Sequence, residues 1–217
     1  QIDVAVLDGD KIVFPWVTAW MDVASRKLVG WCISTQPNGN TIAYALRKVI
    51  TDYGVPNTIY MDNGRDYRSR QLNGTDRRIR VQMDSETEGI FQRLGVKTKF
   101  AQPYNAKAKL IERFFNTVGA QFSRFVPGYR GAGVKTRPES LKELAENKKL
   151  YTLAELTKHF GAFVENIYHQ ENHKSLKMSP NQYFTEHTLP RERIEKEDLR
   201  LLMMKSLPRV VGRNGVK

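Results

Sequence analysis

Two acidic residues stand in contexts that suit metal-dependent chemistry on phosphodiesters. Asp62 directly follows the apolar run 58–61, and Glu112 lies fifty residues later, near the start of a long amphipathic stretch. Carboxylates carried to one point by separate rigid elements can hold two divalent ions. We therefore predict that Asp62 and Glu112 are catalytic metal ligands. Each residue also has an ordinary interpretation, because Asp-Asn-Gly is a common turn sequence and most helical glutamates are solvated.

The elements that must position this pair alternate between strands and helices. Predicted strands cover residues 2–7, 13–23, 28–34, 58–61 and 96–100, and predicted helices cover 40–53, 86–94, 107–125 and 153–167, with short helices near Pro180 and Arg191. Asn40 is a candidate cap for the first helix, and Gly54 is a candidate stop. Residues 126–149 are predicted to be irregular. Short turns between the first strands and helical links between the later ones predict a mixed sheet with helices on both faces.

The predicted helix 107–125 fixes the phase of Glu112. Its apolar positions are Ile111, Phe115, Val118 and Phe122. At about 100° per residue, Glu112 lies at the margin of this face. Lys109 falls on the same side as Glu112, three residues earlier. Lys109 is therefore a candidate phosphate ligand, with an ion pair to Glu112 as the alternative.

The charge of the chain indicates a polyanionic partner. Lys and Arg number 35 against 23 Asp and Glu, a formal net charge of +12. Residues 65–84 are predicted to be a long, mobile loop whose arginines at 65–80 contact DNA phosphates, although a solvated loop is the simpler alternative. Its candidate contacts are Arg65, Arg77, Arg78 and Arg80. The longest apolar run, 12–21, contains Pro15 and is too short to cross a membrane.

The remaining chemically active side chains are interpreted as structural. The four histidines are scattered, and Cys32 is the single cysteine, so no zinc-ligand spacing occurs and no internal disulfide can form. A reducing cytoplasm is the compartment that this cysteine usage favours. The three tryptophans are expected in the core.

Three segments of the chain resemble the DDE transposase and integrase superfamily, in particular the Mu-type phage and insertion-element transposases. Residues 15–31 (PWVTAWMDVASRKLVGW) resemble their second and third strands, residues 103–114 (PYNAKAKLIERF) resemble the segment that carries their catalytic glutamate, and residues 172–180 (NHKSLKMSP) resemble a late helical segment. The resemblance implies an α/β, ribonuclease H-like fold: a mixed five-stranded sheet flanked by helices over residues 1–187. Residues 188–217 are then a linker toward a C-terminal domain.

The same resemblance implies an activity. Asp62 matches the second catalytic aspartate and Glu112 the catalytic glutamate, which together hold two Mg²⁺ or Mn²⁺ ions. The implied reactions are nicking of transposon ends and transfer of the 3′ hydroxyl into target DNA, with Lys107 and Lys109 at the phosphates. The implied partners are transposon-end DNA, target DNA and further copies of the chain. The implied location is the cytoplasm of a bacterial host, without attachment to a membrane.

The first aspartate of the family pattern is expected upstream of Gln1, so the chain 1–217 alone is expected to be inactive. Asp3, Asp8 and Asp10 are the fallback candidates, although Asp8 and Asp10 have the character of turn residues.

Two other functions remain open at the level of sequence. A retroviral-type integrase or a ribonuclease H-like nuclease would share the fold and the metals, but the segment 25–31 favours the Mu-type pattern. A non-catalytic DNA-binding or assembly module is the alternative from a different functional class.

Overall fold

The computed structural model describes residues 2–61, 70–73, 89–100, 109–131, 141–147, 149–204, 211–212 and 215–216. Its strands are β1 (Val6–Asp8), β2 (Lys11–Val13), β3 (Trp16–Met21), β4 (Leu28–Ser34), β5 (Thr58–Met61), β6 (Lys97–Phe100), β7 (Val211–Gly212) and β8 (Gly215–Val216). Its α-helices are α1 (Gly39–Tyr53), α2 (Arg70–Asn73), α3 (Ile90–Arg93), α4 (Lys109–Gln121), α5 (Leu141–Glu146), α6 (Leu153–Phe163), α7 (Pro180–His187) and α8 (Lys196–Leu202). A mixed α/β architecture is confirmed.

The described residues form two compact units. Unit 1 comprises Gln1–Lys48 and Asn105–Pro190, and unit 2 comprises Val49–Tyr104 and Arg191–Lys217. The predicted domain 1–187 and the predicted linker 188–217 stay predictions. Within the predicted linker, the described residues include α8 and the antiparallel pair of β7 and β8.

The N-terminal strands form two antiparallel hairpins in unit 1. β1 pairs with β2, and β3 pairs with β4. The single strand predicted over 13–23 is wrong, because the chain leaves the ladder at Phe14 and Pro15 between β2 and β3. Proline has no backbone N–H to donate to a ladder, so it favours a break at this position.

Pairing among the strands is mixed, as predicted, since β5 and β6 run parallel in unit 2. Across the described ranges the ladders are four two-stranded pairs, and the predicted five-stranded sheet is not among them. Two loop segments, at Gly128 and at Tyr151, accept backbone hydrogen bonds from the N-terminal segment that includes β1. The N–H of Ala5 donates to the carbonyl of Gly128 at 2.9 Å, and the N–H of Leu7 donates to that of Tyr151 at 2.9 Å.

Gly128 permits this close approach of loop and strand. Its φ is +86°, and a Cβ placed there would lie 2.6 Å from the carbonyl oxygen of Ala5. A side chain is therefore excluded by both backbone conformation and space.

Helix α1 has the predicted apolar face and the predicted stop. Its core positions 42, 45, 46, 49 and 50 are all buried, and Gly54 follows the helix with φ +85°. The predicted cap is wrong by two residues. The side chain of Asn38 accepts from the N–H groups of Asn40 and Thr41, so the cap lies one residue before the helix begins at Gly39.

The core of unit 1 lies where α4 and α6 pack on the hairpin strands. The ring of Phe160 makes edge contacts with Trp31 and Phe122, with centroid distances of 4.9 and 5.6 Å. Phe114 and Val118 complete the buried face of α4. The prediction of core tryptophans is wrong for Trp16, which is 38% exposed at the first position of β3.

The apolar face predicted for α4 is confirmed at Ile111, Val118 and Phe122 and is wrong at Phe115. Phe114 is 2% exposed, whereas Phe115, the predicted core residue, is 37% exposed. The choice is made by a tertiary contact, because the ring of Phe114 packs edge-on against Tyr168 at a centroid distance of 4.8 Å. The buried series is therefore Phe114, Val118 and Phe122, with exact four-residue spacing.

The long helix predicted near the C-terminal end of the core is confirmed. Thr152 caps α6 and forms a reciprocal capping box with Glu155. The helix continues beyond Phe163 as one π-helical turn, Val164–Tyr168. The prediction of an irregular segment over 126–149 is wrong at α5, whose sequence Leu-Lys-Glu-Leu-Ala-Glu consists of strong helix formers.

Candidate active site

Glu112 lies in the first turn of α4, as predicted. Its side chain is exposed, and it makes no hydrogen bond or ion pair with any other residue whose placement is described. At about 100° per residue, Glu112 lies about 160° from Phe114 but about 100° from Ile111 and about 80° from Phe122, which also contact the core. Its exposed carboxylate therefore lies beside the apolar face of α4, as predicted.

Asp62 directly follows β5, whose Ile59 and Met61 are 4% and 3% exposed. The prediction of a short buried strand that ends immediately before this aspartate is confirmed. Asp62 itself falls outside the described residues, so its approach to Glu112 stays a prediction.

The predicted phosphate contacts lie almost entirely outside the described part of the chain. Those outside it are Arg65, Arg77, Arg78, Arg80 and Lys107. Lys109 is the first residue of α4, as the predicted helix requires, but its side chain is not described. The role of this set in DNA binding stays a prediction.

The four acidic residues near the N-terminus have structural surroundings. Asp3 pairs with Arg130, whose Nη2 lies 2.7 Å from Oδ1. Asp8 ends β1, and Asp10 lies in the turn before β2. Asp22 accepts hydrogen bonds from the backbone N–H of Ser25 at 2.9 Å and from its hydroxyl at 2.8 Å. Turn formation and ion pairing account for these carboxylates.

Of the two predicted ligands for Mg²⁺ or Mn²⁺, Glu112 is the one whose side chain lies within the described part of the chain. Carboxylate oxygens are the ligands that these ions prefer, and the exposed Glu112 offers them without a described competitor. No group of three or more His, Cys, Asp or Glu side chains suited to a metal occurs within the ranges that the structure describes. Glu112 therefore fits the ion type and would need further carboxylates to complete a site.

His169 is a buried structural residue whose partners the sequence did not reveal. It is completely buried, and its Nε2 accepts the backbone N–H of Leu28 at 3.1 Å. Its Nδ1 lies 3.1 Å from a carboxylate oxygen of Glu165. Burial lowers the pKa of His169, opposed by the nearby Glu165 carboxylate. The prediction that this histidine is structural is confirmed by its partners.

His169 is one of three neighbouring anchors of the turn between β3 and β4. The hydroxyl of Tyr168 donates to the carbonyl of Arg26 at 3.0 Å, and burial raises the pKa of that hydroxyl to about 12. The ammonium of Lys27 donates to the side chain of Asn181 at 2.7 Å. The turn that joins β3 and β4 is thereby fixed to the helical layer.

Comparison with known proteins assigns a family to this arrangement. The sequence profile of the bacteriophage Mu transposase family matches residues 1–164. The transposase for transposon Tn552 from Staphylococcus aureus is 27% identical over 214 residues, which cover 94% of this chain and 39% of that protein. The Mu-like prophage FluMu transposase A from Haemophilus influenzae is 32% identical over 118 residues, covering 52% of this chain and 17% of that protein.

The chain thus spans less than half the length of these two curated relatives. A solved structure of a simian T-cell lymphotropic virus intasome bound to a PP2A regulatory subunit aligns with a TM-score of 0.48 and 17% identity. That alignment covers 83% of this chain and 52% of the other. No described helix of this chain has both the length and the apolar character needed to cross a bilayer.

Proposed function

The chain belongs to the bacteriophage Mu transposase family, and we propose on that premise that it is the ribonuclease H-like catalytic core of a DNA transposase. The observation that carries the proposal is the match of the family profile over residues 1–164, which includes the exposed Glu112 on α4. The reactions are hydrolysis of a phosphodiester at each transposon end, followed by transesterification. In the second reaction the released 3′ hydroxyl forms a new ester with a target phosphate, and the target strand leaves through its own 3′ oxygen.

Two carboxylates of this chain are proposed to act in that chemistry. Asp62, which follows β5 in sequence, and Glu112, in the first turn of α4, would hold two divalent ions, with the first aspartate of the family pattern as a third ligand. When bound, Mg²⁺ or Mn²⁺ supplies Lewis-acid stabilisation of the entering and leaving oxygens.

The rest of the chain binds and orients DNA. A net charge of +12 favours association with a polyanion. Lys107, Lys109 and the arginines at 65, 77, 78 and 80 hold phosphates, which fixes the register of the duplex without selecting a sequence. The proposed partners are transposon-end DNA, target DNA and further copies of the chain, assembled on DNA in the bacterial cytoplasm.

Strand transfer by the full-length gene product tests the proposal. The substrate is an end duplex with an exposed 3′ hydroxyl, and the product is that end joined to a target plasmid in Mg²⁺. We expect Glu112→Gln to lower joining by about a hundredfold or more, because charge stabilisation by bound ions contributes several kcal/mol. Glu146→Gln, the same change at an exposed position of α5, is the control and should retain activity.

Equal joining by the two variants would contradict the assignment of Glu112. Wild-type protein that binds the DNA in Mg²⁺ or Mn²⁺ but joins no ends would favour a non-catalytic assembly module.

A further inference from the structure

Basic residues of three elements of unit 1 lie near the turn between β3 and β4, and Lys174 is included among them as the exposed neighbour of His173 in sequence. Arg26 lies in that turn, Arg113 lies on α4, and His173 and Lys174 lie in the loop between the π-helical turn and α7. These four residues are called the cationic cluster below. Arg113 directly follows Glu112, so the cluster borders the candidate catalytic carboxylate along the chain.

Packing contacts hold the three elements together. The hydroxyl of Tyr168 donates to the carbonyl of Arg26, and its ring packs on Phe114, the neighbour of Arg113. The loop that carries His173 is also ordered. The N–H of His173 donates to the carbonyl of Met178 at 2.9 Å, and the carbonyl of His173 accepts the N–H of Lys177 at 2.9 Å. The cluster is thus built on a fixed frame.

Electrostatics agree with this arrangement. The pKa of His173 is lowered, first by burial and then by the positive charges of Arg26 and Arg113. The charges of both guanidinium groups thus act on one imidazole. Cations from separate elements that repel one another in this way cost free energy unless an anion binds among them.

No residue of the cluster forms an ion pair within the described part of the protein. The ion pair of Arg130 with Asp3 and the contact of His169 with Glu165 both lie outside the cluster. Arg26 donates from Nη1 to the carbonyl of Val23, while its Nε is buried and has no acceptor among the described residues. Arg113 and Lys174 are exposed, so they are the members that an external anion would contact first.

We propose that the cationic cluster is a binding site for the phosphodiester backbone of DNA, beside Glu112. Guanidinium groups match the geometry of phosphate oxygens, and contacts of this kind position a duplex independently of its sequence. Arg113 and Glu112 are consecutive on α4, so a backbone held by the cluster would pass close to the carboxylate. This inference rests on the proposed function, since it places that substrate on a second surface besides the arginines at 65–80.

Salt-dependent binding of a duplex of unrelated sequence by chain 1–217 tests the cluster. The test variant is Arg113→Gln with Lys174→Gln, two exposed positions. The control is Arg124→Gln with Lys158→Gln, which removes the same residue types from exposed positions elsewhere in unit 1. Lys158 precedes Tyr168 by ten residues of continuous helix, about 15 Å of rise, and Arg124 lies beyond the far end of α4.

The slope of log affinity against log salt should fall in magnitude by about 1.8 in the test variant, since each lost phosphate contact removes about 0.9. The control slope should stay within about 0.3 of wild type. Circular dichroism of both variants would verify that each is folded. As a second measurement, the NMR titration of His173 should show its pKa rising when DNA binds, because phosphates would offset the two guanidinium charges.

The outcomes separate the cluster from the proposed function. If the test variant has the same salt slope as wild type, or if test and control variants lose the same amount of slope, the cluster is not a DNA site. Either result would leave the proposed function standing. A reduced slope in the test variant alone, together with strand transfer that survives Glu112→Gln, would support the cluster while the catalytic proposal fails. Absence of DNA binding by the wild-type chain would overturn both.

Discussion

Arg130 and Asp3 form an ion pair that joins the loop after α4 to the first strand region. Nη2 and Nε of the arginine lie 2.7 and 2.9 Å from the same carboxylate oxygen. The backbone adds a contact, because the N–H of Arg130 donates to the carbonyl of Asp3 at 3.1 Å. Asp3 therefore serves to connect two segments of unit 1, which is why we do not assign it to the metal site.

We expect Asp3→Asn to leave chemistry intact and to cost little stability. The two side chains are 35% and 42% exposed, so solvent screens the pair and its contribution should be below about 1 kcal/mol. Urea denaturation measures the stability change, and strand transfer by the full-length protein measures the activity. Loss of joining in a folded Asp3→Asn variant would identify Asp3 as the first catalytic aspartate.

The adjacent rings of Phe114 and Phe115 on α4 give a matched pair of substitutions. Phe114→Ala should destabilise the protein by about 3–5 kcal/mol, because it empties a buried ring site against Tyr168. Phe115→Ala, the same change one residue later, should cost about 1 kcal/mol or less, because its ring is partly exposed. Urea denaturation midpoints measure both. A larger loss of stability in Phe115→Ala than in Phe114→Ala would show that Phe115 is the buried residue, as predicted from the sequence.

His169 should be required for stability through its bond to the backbone. His169→Ala removes a fully buried side chain and leaves the N–H of Leu28 without its acceptor, at a cost of about 2–4 kcal/mol. His169→Gln keeps an acceptor at a similar position and should lose clearly less. Chemical denaturation compares the two variants. Equal losses would show that cavity formation, rather than the hydrogen bond, dominates.

Stability should fall as the solution is acidified below the ordinary histidine range. Burial holds the pKa of His169 below its usual value, so the unfolded chain, with a histidine pKa of about 6.5, binds the proton more tightly. The contribution is fully present above about pH 6.5 and is lost as the pH falls toward the folded pKa. The free energy of unfolding should therefore drop between pH 7.5 and 5.5, and less steeply in His169→Gln. Equal pH slopes in wild type and variant would contradict this.

The sequence was sufficient for features set by local pattern. The strand before Asp62, the helix that begins before Glu112 and the glycine stop after α1 all follow from short-range spacing and breakers. The burial of Phe114 rather than Phe115 does not, because the two rings are adjacent and equally apolar. Their choice depends on Tyr168, more than fifty residues away along the chain.

Long-range partners also explain what sequence missed at His169 and at the cationic cluster. The acceptor role of His169 depends on Leu28, which is 141 residues distant in sequence. Likewise, Arg26, Arg113 and His173 belong to three segments that only the fold brings together. Sequence contained one signal for this cluster, namely the position of Arg113 directly after Glu112.

Binding of Mn²⁺ to chain 1–217, followed by the electron paramagnetic resonance signal of the free ion, tests the central claim that Asp62 and Glu112 share a metal centre. We predict that Asp62→Asn and Glu112→Gln each weaken binding at least about tenfold, since even outer-shell changes at metal sites cost that much. Glu146→Gln should bind as wild type does. Wild-type affinity in both Asp62→Asn and Glu112→Gln would contradict the account.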